Sequence, residues 1–103
     1  MRYLSHAVLH AGQVYRQSLV AIVDGKVEVS RFDREEHSTV FVSGLVAVVA
    51  DNRVTNVNIG QLDRIVKTAP LVETAILRAM RYMKGRSLFV NAGDVPRLIV
   101  LQR

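Results

Sequence analysis

Three histidines, a pair of glutamates beside one of them, and a serine before a glycine are the residues here whose types and spacing bear on chemistry. His6 and His10 stand four residues apart in an extended stretch, on one side of a strand and about 13 Å apart by strand rise. That is too far for both to hold one metal without a bend, so they read as separate boundary histidines. His37 follows Glu35 and Glu36 and has the makings of a proton-transfer pair. A hydrated turn gives little means of shifting their pKa values, so a solvated charge cluster is the reading. Ser43-Gly44 lacks the flanking glycine of a nucleophile elbow, and no helix follows its strand promptly. Gly93 and the backbone before Pro96 offer amides to an anion, but without the glycine, lysine and hydroxyl pattern of a phosphate loop. No catalytic residue, cofactor or metal ligand is assigned from this inventory.

Charge supplies the other candidate site. Up to Ala50, five cations (Arg2, Arg16, Lys26, Arg31, Arg34) are matched by five acids (Asp24, Glu28, Asp33, Glu35, Glu36). The net +5 therefore lies wholly in the second half. There Arg64, Lys67, Arg78, Arg81, Lys84 and Arg86 make a candidate surface for nucleic acid or another anion. An ordinary solvated helix face is the plainer account, because aromatic residues are not interleaved through these charges as a stacking platform would need.

The elements that must position these residues begin with Asp24-Gly25, set between two extended apolar runs. Both central residues of a type I′ turn need positive φ, which glycine takes freely and aspartate tolerates, so a tight antiparallel hairpin is specified. Strands are expected over Tyr3 to Leu9, Gln13 to Val23 and Lys26 to Phe32, the first two joined at Ala11-Gly12. Val27 and Val29 alternate with Glu28 and Ser30, which places the third strand near an edge. Leu19 to Val23 and Val40 to Ala50 are apolar on both faces and are expected at the centre. Gly44 interrupts the second of these, as a bulge or a close backbone approach would require. Asp33 to His37 reads as an exposed turn.

Asp51 to Asn58 is rich in turn-forming side chains and marks a connection. Asn58 with Gln61 resembles a helix-starting box, and Ile59, Leu62, Ile65 and Val66 recur at helical spacing up to about Thr68. Pro70 fits the first turn of a second helix that Gly85 ends in a left-handed conformation. Its apolar stripe, Leu71, Val72, Ala75, Ile76, Ala79, Met80 and Met83, is expected to pack on the sheet, opposite Arg78, Arg81 and Lys84. Ser87 to Val90 and Arg97 to Leu101 read as closing strands. The expected fold is α+β in one domain spanning 1–103. A mostly antiparallel sheet or small β-sandwich occupies 1–50, a connection 51–58, and two helices with the closing strands 59–103.

At 103 residues the chain suits one core, and half of its residues are apolar. No apolar run approaches the roughly 20 residues that span a bilayer. The chain is read as soluble, with no membrane among its expected partners. Ser5 and His6 break the first apolar stretch, which argues against a signal peptide. The absence of cysteine excludes disulfides and thiolate metal sites and is compatible with the cytoplasm.

Asp24-Gly25-Lys26-Val27, the acidic turn and Phe41-Val42-Ser43-Gly44-Leu45-Val46 resemble the opening of amidohydrolase-superfamily enzymes, where a "DGKI" hairpin precedes "PGLV". The other end, Lys84-Gly85-Arg86-Ser87-Leu88 and Gly93-Asp94-Val95-Pro96-Arg97-Leu98-Ile99-Val100-Leu101, is similar to their closing helix, glycine turn and strand. In that family the two ends build a small β-sandwich beside a catalytic (β/α)₈ barrel. A barrel of about 250 residues has no room here. The resemblance thus implies the flanking domain alone, with the join near Asp51 to Asn58. Ser43 stands where the family has proline, and Pro96-Arg97 replaces an Ala-Asp pair common among its members. Val49 and Asp51 occupy the places of the first metal-binding pair. Valine has no lone pair to offer, so the resemblance implies a relative without hydrolase activity.

The expected function is therefore that of a noncatalytic interaction or regulatory domain forming a homo-oligomer or binding another protein. A half-apolar chain of this size offers more apolar surface than one small core covers. Binding of nucleic acid or another anion by the basic half is the alternative.

Overall fold

The computed structural model describes residues 2–31 and 39–103. Their order is β1 (Arg2–His10), β2 (Gln13–Val23), β3 (Lys26–Arg31), β4 (Thr39–Ala50), α1 (Asn56–Thr68), α2 (Val72–Gly85) and β5 (Pro96–Gln102). The fold is α+β. Five strands form one sheet in the order β3-β2-β1-β4-β5, antiparallel throughout except where β1 and β4 run parallel. Phe32 and the charged turn Asp33 to His37 lie outside the described residues.

Local sequence accounts for both hairpins. Asp24 and Gly25 adopt φ 51° and 77°, and Ala11 and Gly12 adopt φ 50° and 78°. Two positive φ values in succession give the twist that lets adjacent antiparallel strands continue without splaying. β3 lies at an edge, as its alternation requires. The centre of the sheet is β1 rather than the two apolar runs, which flank it as β2 and β4. Apolarity on both faces reports burial on both faces, and that burial is complete only in β4, where Leu45 to Ala50 are fully buried. In β2, Ile22 and Val23 reach solvent.

The strict alternation of β4 sorts the core into two clusters. Leu45, Ala47 and Val49 face the helices, joined by Ala7, Leu9, Ile99 and Leu101 from neighbouring strands. From above come Leu62 and Val66 of α1 and Ala75, Ile76, Ala79 and Met83 of α2. Val46 and Val48 point the other way and cluster with Val8, Val20 and Val42. Full burial of each valine, leucine, isoleucine or methionine among them contributes about 1.5–3 kcal/mol. β4 thus belongs to both cores at once.

The helices start and stop at different residues than their sequence signals indicate. Thr55, not Asn58, is the N-cap of α1: its hydroxyl accepts from the Asn58 amide at 3.1 Å while the Asn58 Oδ1 accepts from the Thr55 amide at 2.9 Å. Asparagine thus fills the place glutamate or glutamine takes in a capping box. Pro70 precedes α2, whose N-cap is Leu71. The positive φ beyond its C-terminus falls on Ser87, at 54°, and not on Gly85. Ser87 to Val90 makes a single bridge, Phe89 to Val49, instead of a strand. α1 lies over β5 and α2 over β1, and the Asn58 Nδ2 donates to the Tyr82 hydroxyl at 3.1 Å, so the helices pack as an antiparallel pair.

Arg53 locks the connection to this layer. Its Nε donates to the Ser87 carbonyl at 2.9 Å, its Nη2 to the Phe89 carbonyl at 2.8 Å, and its Nη1 to Asp94 Oδ1 at 2.9 Å. Asp94 Oδ2 in turn accepts from the Asn91 amide at 2.8 Å. One guanidinium fork therefore ties the end of β4 to both sides of the loop preceding β5.

At Gly44 an added Cβ would fall inside the van der Waals radius of the Leu101 carbonyl oxygen, a backbone atom of the paired strand. Gly44→Ala is expected to destabilise the fold by about 1–3 kcal/mol, read as a lower urea midpoint. An unchanged midpoint would show that β5 moves aside freely. The Arg53 guanidinium and the Asn91 amide hold the Asp94 carboxyl below its usual range. A lowered folded pKa contributes stability that is present above the ordinary carboxylate value, about 4, and is lost as pH falls through the lowered one. Asp94→Asn should therefore flatten the acid limb of the stability–pH curve, and a variant limb parallel to the parent's would refute the assignment.

Candidate functional site

A shared irregularity of three strands creates a groove on the helix side of the sheet. On β1 and β2 the pairs Ser5–Ser18 and Ala7–Arg16 bracket His6 and Gln17, and Gln17 takes φ 45°. On β4 the same interval holds both Ser43 and Gly44, because Ser5 pairs with Val42 and Ala7 with Leu45. The carbonyls freed from regular pairing are satisfied locally. Ser5 Oγ donates to the Ala7 carbonyl at 2.8 Å, and Ser18 Oγ to the Arg16 carbonyl at 2.9 Å. Two buried serines in an apolar sheet are explained by this task.

One consequence is a change of face along β1 and β2. Before the irregularity Tyr3, Val20 and Val29 align on one side; beyond it Val8 continues that side while Ala7 and Leu9 turn to the helices. The helices reach only this far, and their limit is marked by the bidentate pair of Arg16 with Glu73 in the first turn of α2. Past that limit the helix-side face carries Leu4, Phe41 and Ser43 uncovered by either helix. With His6 and Gln17 they line a groove of about 450 Å³. Phe41 is 58% exposed there.

His6 and His10 end up on different faces. The displaced step at His6 puts its side chain in the groove, whereas His10 stacks obliquely near Tyr15, ring centroids 6.4 Å apart, on the opposite side. The expectation that they share one side of a strand fails because that argument assumes unbroken alternation through His6. The groove lining holds no carboxylate to orient His6, and Ser5 is committed to the backbone. No group of three or more metal-ligating side chains occurs among the described residues. His37 lies outside them.

The six basic residues are not equivalent. Lys67 pairs with Asp63 one turn earlier at 2.6 Å, and Arg86 lies 4.0 Å above the Tyr82 ring. Arg64, Arg78, Arg81 and Lys84 are exposed on the outer surface of the helix pair, without an ion pair among the described residues. The loop containing Gly93 is organised by Asp94 and Arg53 for its own closure. Sequence reasoning missed the groove and the role of Arg53. The one legible trace of the groove was Ser43-Gly44, since a left-handed glutamine has no sequence signature.

Comparison of the chain with protein-family models, with curated proteins and with solved structures finds no match.

Burial pushes the His10 imidazole below its usual value of about 6.5, and its buried Nδ1 has no hydrogen-bond partner among the described residues. Stability tied to a neutral histidine is present above the unfolded pKa and lost as pH falls through the lowered folded one. His10→Gln should therefore weaken the loss of stability just below pH 6.5. A proton NMR titration of His10 with a midpoint at or above the ordinary value would sink this assignment.

Proposed function

We propose that this domain is a noncatalytic interaction module that self-associates through the groove beside Phe41. The observation that carries the reading is Phe41 itself, a large apolar side chain standing in solvent next to a concavity on the part of the sheet that neither helix covers. Withdrawing one phenylalanine from water is worth about 1.5–3 kcal/mol. A two-fold arrangement uses that gain twice, because projection and groove belong to the same patch and each copy supplies both. Leu4, also in the groove, enlarges the apolar surface such a contact would remove from water.

In this reading the domain is a barrel-less relative of amidohydrolases with no hydrolase activity. Its support is the set of motif residues from Asp24 to Val27, Phe41 to Val46 and Lys84 to Leu101. Val49, at the place of a metal ligand, is fully buried against Phe89 and the helix-side core. We place the domain in the cytoplasm, with which its lack of cysteine is compatible; among the described residues no helix is long and apolar enough to cross a membrane.

A second reading, binding of a polyanion by the helical layer, is favoured by the four cations Arg64, Arg78, Arg81 and Lys84, which no acid among the described residues neutralises. It requires retention on heparin that weakens steeply with salt.

Light scattering across a concentration series tests the first reading. A dimer is expected, and Phe41→Ser should shift it to monomer by raising the dissociation constant at least tenfold, while far-ultraviolet circular dichroism stays unchanged. A parent protein that remains monomeric at the highest concentration would overturn self-association.

A further inference from the structure

The outer surface of the helix pair carries more than charge. Val57 on α1 is 71% exposed and Leu77 on α2 is 54% exposed. Val57, Gln61, Arg64 and Thr68 recur at helical spacing on the side of α1 opposite buried Leu62 and Val66. Leu77, Arg81 and Lys84 do the same on α2, opposite buried Ala75, Ala79 and Met83, with Arg78 at their flank. Both inner sides pack on one sheet, so the two outer sides form one layer. Exposed Leu71 lies in the turn that joins them.

Acidic residues on these helices do not offset this layer. Of the two acids on these helices, Asp63 is engaged by Lys67 and Glu73 by Arg16. Nor does the layer offer a free aromatic ring: Tyr82 is half-buried, covered by Arg86 and bonded to Asn58. Single-stranded nucleic acid is bound by stacking platforms between cations, and those are missing. Aliphatic side chains between cations suit a different polyanion, a lipid surface, whose headgroups take the positive charge while its acyl boundary takes the apolar tips.

We propose that the helical layer docks on an anionic bilayer surface, with Arg64, Arg78, Arg81 and Lys84 against headgroups and Val57 and Leu77 dipping beneath them. This departs from the expectation of no membrane partner, which rests on the absence of a spanning run; a surface contact needs none. The inference deepens the polyanion reading and stands on it. Each cation near an anionic surface changes partitioning about fivefold at low salt, and the effect fades as salt rises.

Co-sedimentation with phosphatidylcholine vesicles, with and without phosphatidylserine, provides the test, run beside heparin and a mixed oligonucleotide. Sedimentation with the phosphatidylserine vesicles alone is expected, abolished by high salt. The double variant Arg78→Gln, Arg81→Gln should lose about 25-fold in vesicle binding and weaken on heparin too. The pair Val57→Ser, Leu77→Ser, both exposed and so without a role in the core, should lose about tenfold or more on vesicles and leave heparin retention as it was. Binding to heparin or oligonucleotide without vesicles would overturn the lipid assignment and keep the polyanion reading. Binding to none of them would remove both. Vesicle binding indifferent to the apolar pair would overturn the proposed mode of docking.

Discussion

β4 is buried on both faces through six successive residues, Leu45 to Ala50, while it pairs with a neighbour on each side, and this constraint governs the rest of the structure. Its alternation feeds the helix-side cluster through Leu45, Ala47 and Val49 and the opposite cluster through Val46 and Val48. Parallel pairing with β1 and antiparallel pairing with β5 satisfy its backbone. The demand is hardest to meet at Gly44, where the Leu101 carbonyl approaches too closely for any side chain. A residue with a Cβ there would push β5 away and open the helix-side core, since Leu101 and Ile99 belong to it.

Two polar clusters fix the elements that follow this strand. At its C-terminal end Arg53 gathers two carbonyls and Asp94, so the loop before β5 returns to the sheet at a fixed place. Leaving the partly buried Phe89 carbonyl unpaired costs about 1–3 kcal/mol. Near Gly44 the Arg103 amide donates to the Ser43 carbonyl at 2.7 Å, and its guanidinium reaches the Val66 and Ala69 carbonyls at 3.2 and 3.1 Å. The end of α1 is thereby tied to the end of β5. Positive charge at a helix C-terminus also complements the helix dipole.

Two surfaces remain once these demands are met, and they differ in kind. The groove exists because β1 and β2 leave regular pairing at His6 and Gln17 where β4 places two residues, Ser43 and Gly44, so the helices stop at Arg16 and Glu73 and leave Phe41 outside. The outer helical layer exists because amphipathic helices committed to a core must turn their other side to solvent. On that side this chain places cations and aliphatic tips together.

Reading the residues in order was enough for whatever depends on neighbours along the chain. Asp24-Gly25 dictates its hairpin because only certain residues accept positive φ, and Leu62, Val66, Ala75, Ala79 and Met83 declare their helices by spacing. Gly44 declares a close approach because its missing side chain has few other uses in an apolar strand. The separation of His6 from His10, the Arg53 fork and the groove depended on partners 9 to 41 residues away, through pairings such as Arg16 with Ala7 and Arg53 with Asp94. No local pattern encodes them, because register slips and long-range hydrogen bonds are settled only when separate strands compete for the same core. The basic stretch shows the division well. Sequence alone fixed its excess charge, and folding decided that Lys67 and Arg86 would be engaged while Arg64, Arg78, Arg81 and Lys84 faced outward together.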